Sequence, residues 1–175
     1  MSTGRSGFNL YLLLALAAGV CGCHTSDKKK DAAATLRVHM EVTPDAMDFS
    51  SRIEVFRNHP IPLRVDKSPF LTEAFVSEAK IIGEGDVFDI EITFVRRGSW
   101  LLEEYTTTNP GKHYAIFSEF GPGMKEHRWL AAPIIPKRIS NGVITFTPDA
   151  TREEAQQIVD GLNAVAKKVE DKSKW

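Results

Sequence analysis

VFDIEITFV, residues 87–95, is the stretch on which the fold turns. Phe88, Ile90, Ile92 and Phe94 alternate with Asp89, Glu91 and Thr93. That period of two gives a strand with one apolar and one polar face. Working outward, 76–82 is more weakly strand-like and ends at Gly83 and Gly85. On the other side Gly98-Ser99 opens a helix, with Ser99 as its expected N-cap. Trp100, Leu101, Tyr105 and Thr108 make its stripe, and Asn109-Pro110-Gly111 stops it. The stretch 112–120 is apolar on both faces, so it is expected at the centre of a sheet. Gly121-Pro122-Gly123 is a turn, and 129–135 extends again. Asn141-Gly142, between Ile139 and Val143, has the form of a hairpin turn. Thr151 and Glu154 form a capping box. Ala155, Ile158, Val159, Leu162, Val165, Ala166 and Val169 then recur at three and four, the spacing of an amphipathic helix.

Nearer the N-terminus, Leu36, Val38, Met40 and Val42 alternate with polar residues, which predicts a strand with one wet face. Ile53 and Val55 begin a second alternating run. Pro60, Pro62 and Pro69 limit 61–65 to an edge strand, and 72–75 has room for one helical turn. Strands with short links and two helices predict one α+β domain over 35–175. Its helices pack on one side of a mostly antiparallel sheet.

The chain has 175 residues, 42% of them hydrophobic and 26% charged, the composition of an ordinary folded protein. A net charge of −1 argues against binding nucleic acid through phosphate neutralisation. The only cysteines are Cys21 and Cys23, too close to the N-terminus to staple the folded part. Arg5 precedes an apolar run, 8–20, that falls short of the ~20 residues a spanning helix needs. Small residues close it at Ala17, Ala18 and Gly19, as in a secretory signal. Val20-Cys21-Gly22-Cys23 resembles the lipobox of bacterial lipoproteins, with 1–22 removed and Cys23 carrying thioether-linked lipid and acyl chains such as palmitate. Cys21 fits poorly, because bulky Val20 would precede the cut; a cysteine inside the box departs from the usual alanine or serine. The alternatives are an uncut signal anchor, or a cleaved signal with chance cysteines. Residues 23–34 then read as a lysine-containing tether.

From Phe70 onward the order of motifs resembles the head subdomain of the first periplasmic domain of SecD, the accessory subunit of the bacterial protein-export channel. The similar pieces are Ser68-Pro69-Phe70-Leu71-Thr72-Glu73-Ala74, the strand Phe88-Asp89-Ile90-Glu91-Ile92-Thr93-Phe94, and Gly98 with its helix. TTTNPGK at 106–112, Tyr114-Ala115-Ile116 and Ala132-Pro133-Ile134-Ile135 follow in order. The hairpin-like 139–146 and Thr151-Arg152-Glu153-Glu154-Ala155 complete the series, which spans 70–168. The family has a short Asp-Gly hairpin where this chain has EFGPGMKEHR, 119–128, and Pro148-Asp149-Ala150 looks inserted. The resemblance implies a SecD-head-like α+β fold, a place in the cell envelope facing the periplasm or exterior, and partners among unfolded polypeptides or translocon components. The family's transmembrane helices, which couple proton flow to export, have no counterpart in the sequence.

No cofactor or metal site is expected. The five histidines, His24, His39, His59, His113 and His127, show no ligand spacing, although His39 and His113 fall on strands that could be neighbours. Asp89 with Glu91, and Glu103 with Glu104, lie on solvated faces rather than across a cleft. Ser99 lacks a nucleophile elbow, and Gly121 and Gly123 do not make a phosphate loop. Arg96-Arg97 and Lys137-Arg138 read as solvated turn residues. Phe117 reads as core; Trp129 stays open between core and an exposed patch. The candidate partner-binding loop is therefore Gly121, Pro122, Gly123 and Trp129. The expectation is a lipid-anchored, non-enzymatic domain that binds a polypeptide or envelope partner, accessory to protein export. A structural lipoprotein without an export role is the first alternative, and a hydrolase the second.

Overall fold

The structure, a computed structural model, describes residues 33–43 and 49–173. The signal-like stretch, Cys23 and the tether up to residue 32 lie outside the described residues. In chain order the elements are β1 (Arg37–Met40), β2 (Ser50–Val55), β3 (Ile61–Asp66), β4 (Leu71–Thr72), a 3-10 turn (Glu73–Phe75), β5 (Val76–Glu84) and β6 (Val87–Phe94). There follow α1 (Arg96–Thr108), β7 (Tyr114–Phe120), β8 (Glu126–Ala131), β9 (Val143–Phe146) and α2 (Arg152–Ser173).

The ladders are antiparallel, and they form three sheets rather than one. These are a four-stranded sheet in the order β4-β1-β7-β8, a three-stranded sheet β5-β6-β9, and the two-stranded ribbon β2-β3. The larger sheets and both helices enclose one core, which includes Leu36, Val38, Ile90, Ile92, Leu102, Ile116, Leu130, Ile144, Ile158 and Leu162. The alternation in 87–95 appears as expected, with Phe88, Ile90, Ile92 and Phe94 buried. β7 sits between β1 and β8 and is covered on both faces: Tyr114, Ile116 and Phe120 face the main core, and Ala115 faces a second, smaller one.

That second core corrects the expected wet face of β1. The ribbon lies over this face of the four-stranded sheet, burying Ile53, Val55, Leu63 and Val65 against Ala115. His39 is buried beneath it and donates from Nδ1 to the Asp66 carbonyl at 2.8 Å. The ribbon's sequence separation from β7 hid this contact from a local pattern.

Three local expectations also change. α1 starts at Arg96 with Val95 as its N-cap, and the Ser99 hydroxyl donates back to the Phe94 and Val95 carbonyls instead of capping. Gly98 is in the first turn because a Cβ there would lie 2.8 Å from that of Phe75. Trp100 points outward, 57% exposed, with Arg96 over its ring; Leu102 and Thr106 take the inner face. Asn141-Gly142 makes a turn but no hairpin. β9 pairs with β6, the Asn141 side chain accepts from Val143 N, and Ser99 occupies the space where a Gly142 side chain would go.

The α2 capping box forms in both directions. Glu154 N donates to Thr151 Oγ1 at 3.2 Å, and Thr151 N donates to Glu154 Oε2 at 2.8 Å. Its inner stripe is buried from Ala155 to Leu162 and then weakens, with Val169 exposed. Asn163 pairs with both backbone groups of Ala79, which closes part of the outer edge of β5.

Candidate functional site

The ladder pattern shows which strand edges are open. In antiparallel pairs, backbone groups point alternately toward the partner and away. Lys67 N donates to Phe49 O, so by register Ser51, Ile53 and Val55 face β3, and Ser50, Arg52 and Glu54 turn their backbone groups outward. On β3 the outward residues are Pro62, Arg64 and Asp66. That edge is largely closed: Arg64 O accepts from Val42 N, Asp66 O accepts from His39, and Pro62 has no N–H. The outward groups of Arg52 and Glu54 find no partner among the described residues. Glu119 O accepts from Thr35 N on the β1 side, so Glu119 and Phe117 turn their backbone groups toward β1, Ser118 and Phe120 turn theirs toward β8, and the register partners His127 and Trp129 face away from β7. Leu130 O is taken by Asp149 N at 2.7 Å, while His127 and Trp129 have no edge partner among the described residues.

Between these two edges lies a groove of about 540 Å³, lined by Glu54, Phe56, Arg57 and Pro60 on the ribbon side and His127, Arg128, Trp129 and Asp149 on the other. Its floor is aromatic. Trp129 is half-buried, 5.1 Å from the Phe117 ring and 5.3 Å from the His39 ring. Phe56 has φ 69°, an uncommon left-handed setting for a bulky residue, and it packs against the small core.

One polar cluster closes the end of the groove. Arg57 donates from its backbone N to Asp149 Oδ2 at 2.8 Å, and its guanidinium pairs with the same carboxylate at 3.1 Å. Arg128 donates to the Asp149 carbonyl at 3.1 Å and makes a two-pronged pair with Glu154 at 2.8 and 3.1 Å. Burial pushes the Asp149 carboxyl up, but the hydrogen bonds from Arg57 and the charges of Arg57 and Arg128 outweigh it and hold it below its ordinary value. Hydrogen bonding from Arg128 holds Glu154 low, against the opposing effect of burial.

Of the residues expected to bind a partner, Trp129 lines the groove, and Gly121, Pro122 and Gly123 form the turn leading into β8. Gly121 and Gly123 take φ of 77° and 71°, which favours glycine. Cys23 lies outside the described residues. Phe56, Arg57, Arg128 and Asp149 carried no local signal, since Arg57 meets Asp149 across 92 positions. His39 and His113 do not bond each other; His113 pairs with Glu41 at 2.7 Å. Asp89 accepts from the hydroxyl of Thr147, the residue just past β9, and Glu91 pairs with Lys80. Glu103 pairs with Arg138. No group of three or more metal-ligating side chains assembles among the described residues, and no helix there is long and apolar enough to cross a membrane.

Antiparallel sheets, two helices in one core and a ribbon leaving open strand edges define an α+β domain of SecD-head-like fold. Among solved structures, the chain is similar to one described as "Structure and function of a membrane component SecDF that enhances protein export", at 20% identity and a TM-score of 0.52 over 75% of this chain. SecDF in "Super-membrane-facing form" is also similar, at 20% identity and a TM-score of 0.51 over 77% of this chain. The chain spans 63% and 19% of the length of those two solved chains. No family model and no curated protein matches the sequence.

Proposed function

We propose that this chain is a lipid-anchored envelope domain that binds an extended polypeptide in the groove between β2 and β8, as a non-enzymatic accessory to protein export. The observation that carries the reading is the pair of open edges, Arg52 and Glu54 on one side and His127 and Trp129 on the other. A strand added to either edge gains main-chain hydrogen bonds, and Trp129 and Phe56 offer apolar contact for its side chains. The SecDF fold supports the link to export, and the lipobox-like Val20-Cys21-Gly22-Cys23 supports the anchor. Against a hydrolase, the Thr147–Asp89 contact lies one step past the Phe146–Ile90 pair that ends the β9–β6 ladder, where neighbouring strands ordinarily bring side chains together.

The test uses proline at outward-facing positions, where no internal ladder bond is lost. Arg52→Pro and His127→Pro are compared with wild type for binding to a reduced, alkylated polypeptide, followed by calorimetry. At least one variant should weaken binding by about tenfold or more, since an added strand loses a donor and meets the ring. Unchanged binding in both variants, with both folded, would remove the edge-pairing reading. Crosslinking from the 121–127 turn in cells separates export from other roles. Translocon components or unfolded clients support an export role; one defined assembly partner supports a structural lipoprotein.

A further inference from the structure

We propose that the end of the four-stranded sheet carrying the 121–125 turn is the surface this domain presents to a lipid bilayer. The inference rests on the anchoring of Cys23 and concerns which way the anchored domain faces. Its basis is where the chain leaves the fold. Thr35 N donates to Glu119 O at 2.9 Å, and Glu119 N donates to Thr35 Oγ1 at 2.9 Å. The Ser118 hydroxyl donates to Thr35 O at 2.8 Å. These bonds continue the β1–β7 register beyond Arg37↔Phe117, which brings Ala33 level with Gly121. There the chain is wedged against α2. A Cβ on Gly161 would lie 2.6 Å from Ala34 N, and Gln157, one turn earlier, faces Gly121. The exit point is therefore fixed beside the turn, between the sheet and α2.

The opposite end of the sheet is marked by Glu41 N donating to His113 O, with exposed Thr43 just beyond. From Thr35 to Thr43 the strand direction covers about 27 Å. Ten peptide steps separate Cys23 from Ala33. Fully drawn out they reach ~35 Å; a Gly/Ser-rich coil of that length averages ~18 Å, and the lysine run here lengthens that average without bringing it to full extension. Laying the Thr43 end on the bilayer would demand a nearly straight tether along the whole sheet. Facing the 121–125 end to the bilayer demands nothing. The turn also has suitable chemistry: Pro122 and Gly123 are exposed, Met124 is 45% exposed, and the amine of exposed Lys125 follows. An apolar tip backed by a cation fits the headgroup layer. β8 begins at Glu126, so the open edge at His127 starts close to the lipid.

The mature lipoprotein makes the test clean. Cys21 leaves with the signal and Cys23 is blocked by lipid, so an introduced cysteine is the only free thiol. Met124→Cys and Thr43→Cys are each purified from membranes, labelled with an environment-sensitive thiol probe, and reconstituted in vesicles of phosphatidylethanolamine and phosphatidylglycerol containing a nitroxide lipid. Quenching at 124 should exceed that at 43 several-fold. Equal quenching, or more at 43, overturns the inference and leaves the anchor standing. Labelling of the unsubstituted mature protein reveals a free thiol at 23, which overturns the anchor and the inference together.

Discussion

Asp149 joins three elements through one residue. Its carboxylate holds Arg57 at the ribbon tip, its carbonyl accepts from Arg128 on β8, its N–H donates to Leu130 O, and α2 begins a few residues on. Asp149→Asn keeps the shape and removes the charge. Because Arg57 is more than half exposed, the loss is limited to about 1 kcal/mol. Amides of β2 and β3 should exchange faster in this variant, with those of β6 unchanged. The carboxyls of Asp149, Glu154 and Glu41 are all held below their ordinary values. Their contribution to stability is full above the unfolded carboxylate range and is lost as pH falls through the folded values, so it disappears only below about pH 4. His39 acts earlier. Burial pulls its pKa below 6.5, opposed by the hydrogen bond to Asp66 O and assisted by the charge of Arg37. The unfolded chain then binds the extra proton first, so stability declines as pH drops below 6.5 toward the folded value. Chemical denaturation at pH 7 and pH 5 should show a decline in wild type that is smaller in His39→Gln, whose amide can still donate to Asp66 O.

At the scale of elements, α2 shows what a sequence makes legible. Its cap and its stripe are both local, so the spacing of Thr151, Glu154 and the run from Ala155 to Leu162 is enough to define the helix. β6 is legible for the same reason, having one buried face. Asn141-Gly142 misleads because the dipeptide specifies only the turn, and nothing local says whether a strand precedes it. The groove is legible only at Trp129, since its other wall comes from the distant ribbon. Two substitutions test the helix. Thr151→Ala removes one half of the box and should cost about 1 kcal/mol in denaturant unfolding. Gly161→Ala would gain up to about 1 kcal/mol from helix propensity alone. The new methyl would instead meet the backbone of Ala33 and Ala34, so the variant should be less stable than wild type, with Thr35 losing exchange protection.

At the scale of the molecule, the two cores differ in size and in what they hold. The large one joins both helices and two sheets and takes no buried side chain from the ribbon. The small one has only Ile53, Val55, Leu63 and Val65 over Ala115, assisted by Phe56, Trp129 and Ala132. Burial of so few side chains sets a lower free energy for opening the ribbon than for unfolding the whole. Opening would also uncover the far side of Trp129 and widen access to both open edges, so the binding proposed for the groove would be coupled to ribbon stability. Val55→Ala tests this, because Val55 is fully buried and its truncation costs about 2 kcal/mol within the small core. In native-state hydrogen exchange the variant should lose protection in β2 and β3 by that amount while β6 and β7 keep theirs. A uniform loss across both cores would instead mean that the ribbon and the body open only together, and the groove would then be a fixed cleft.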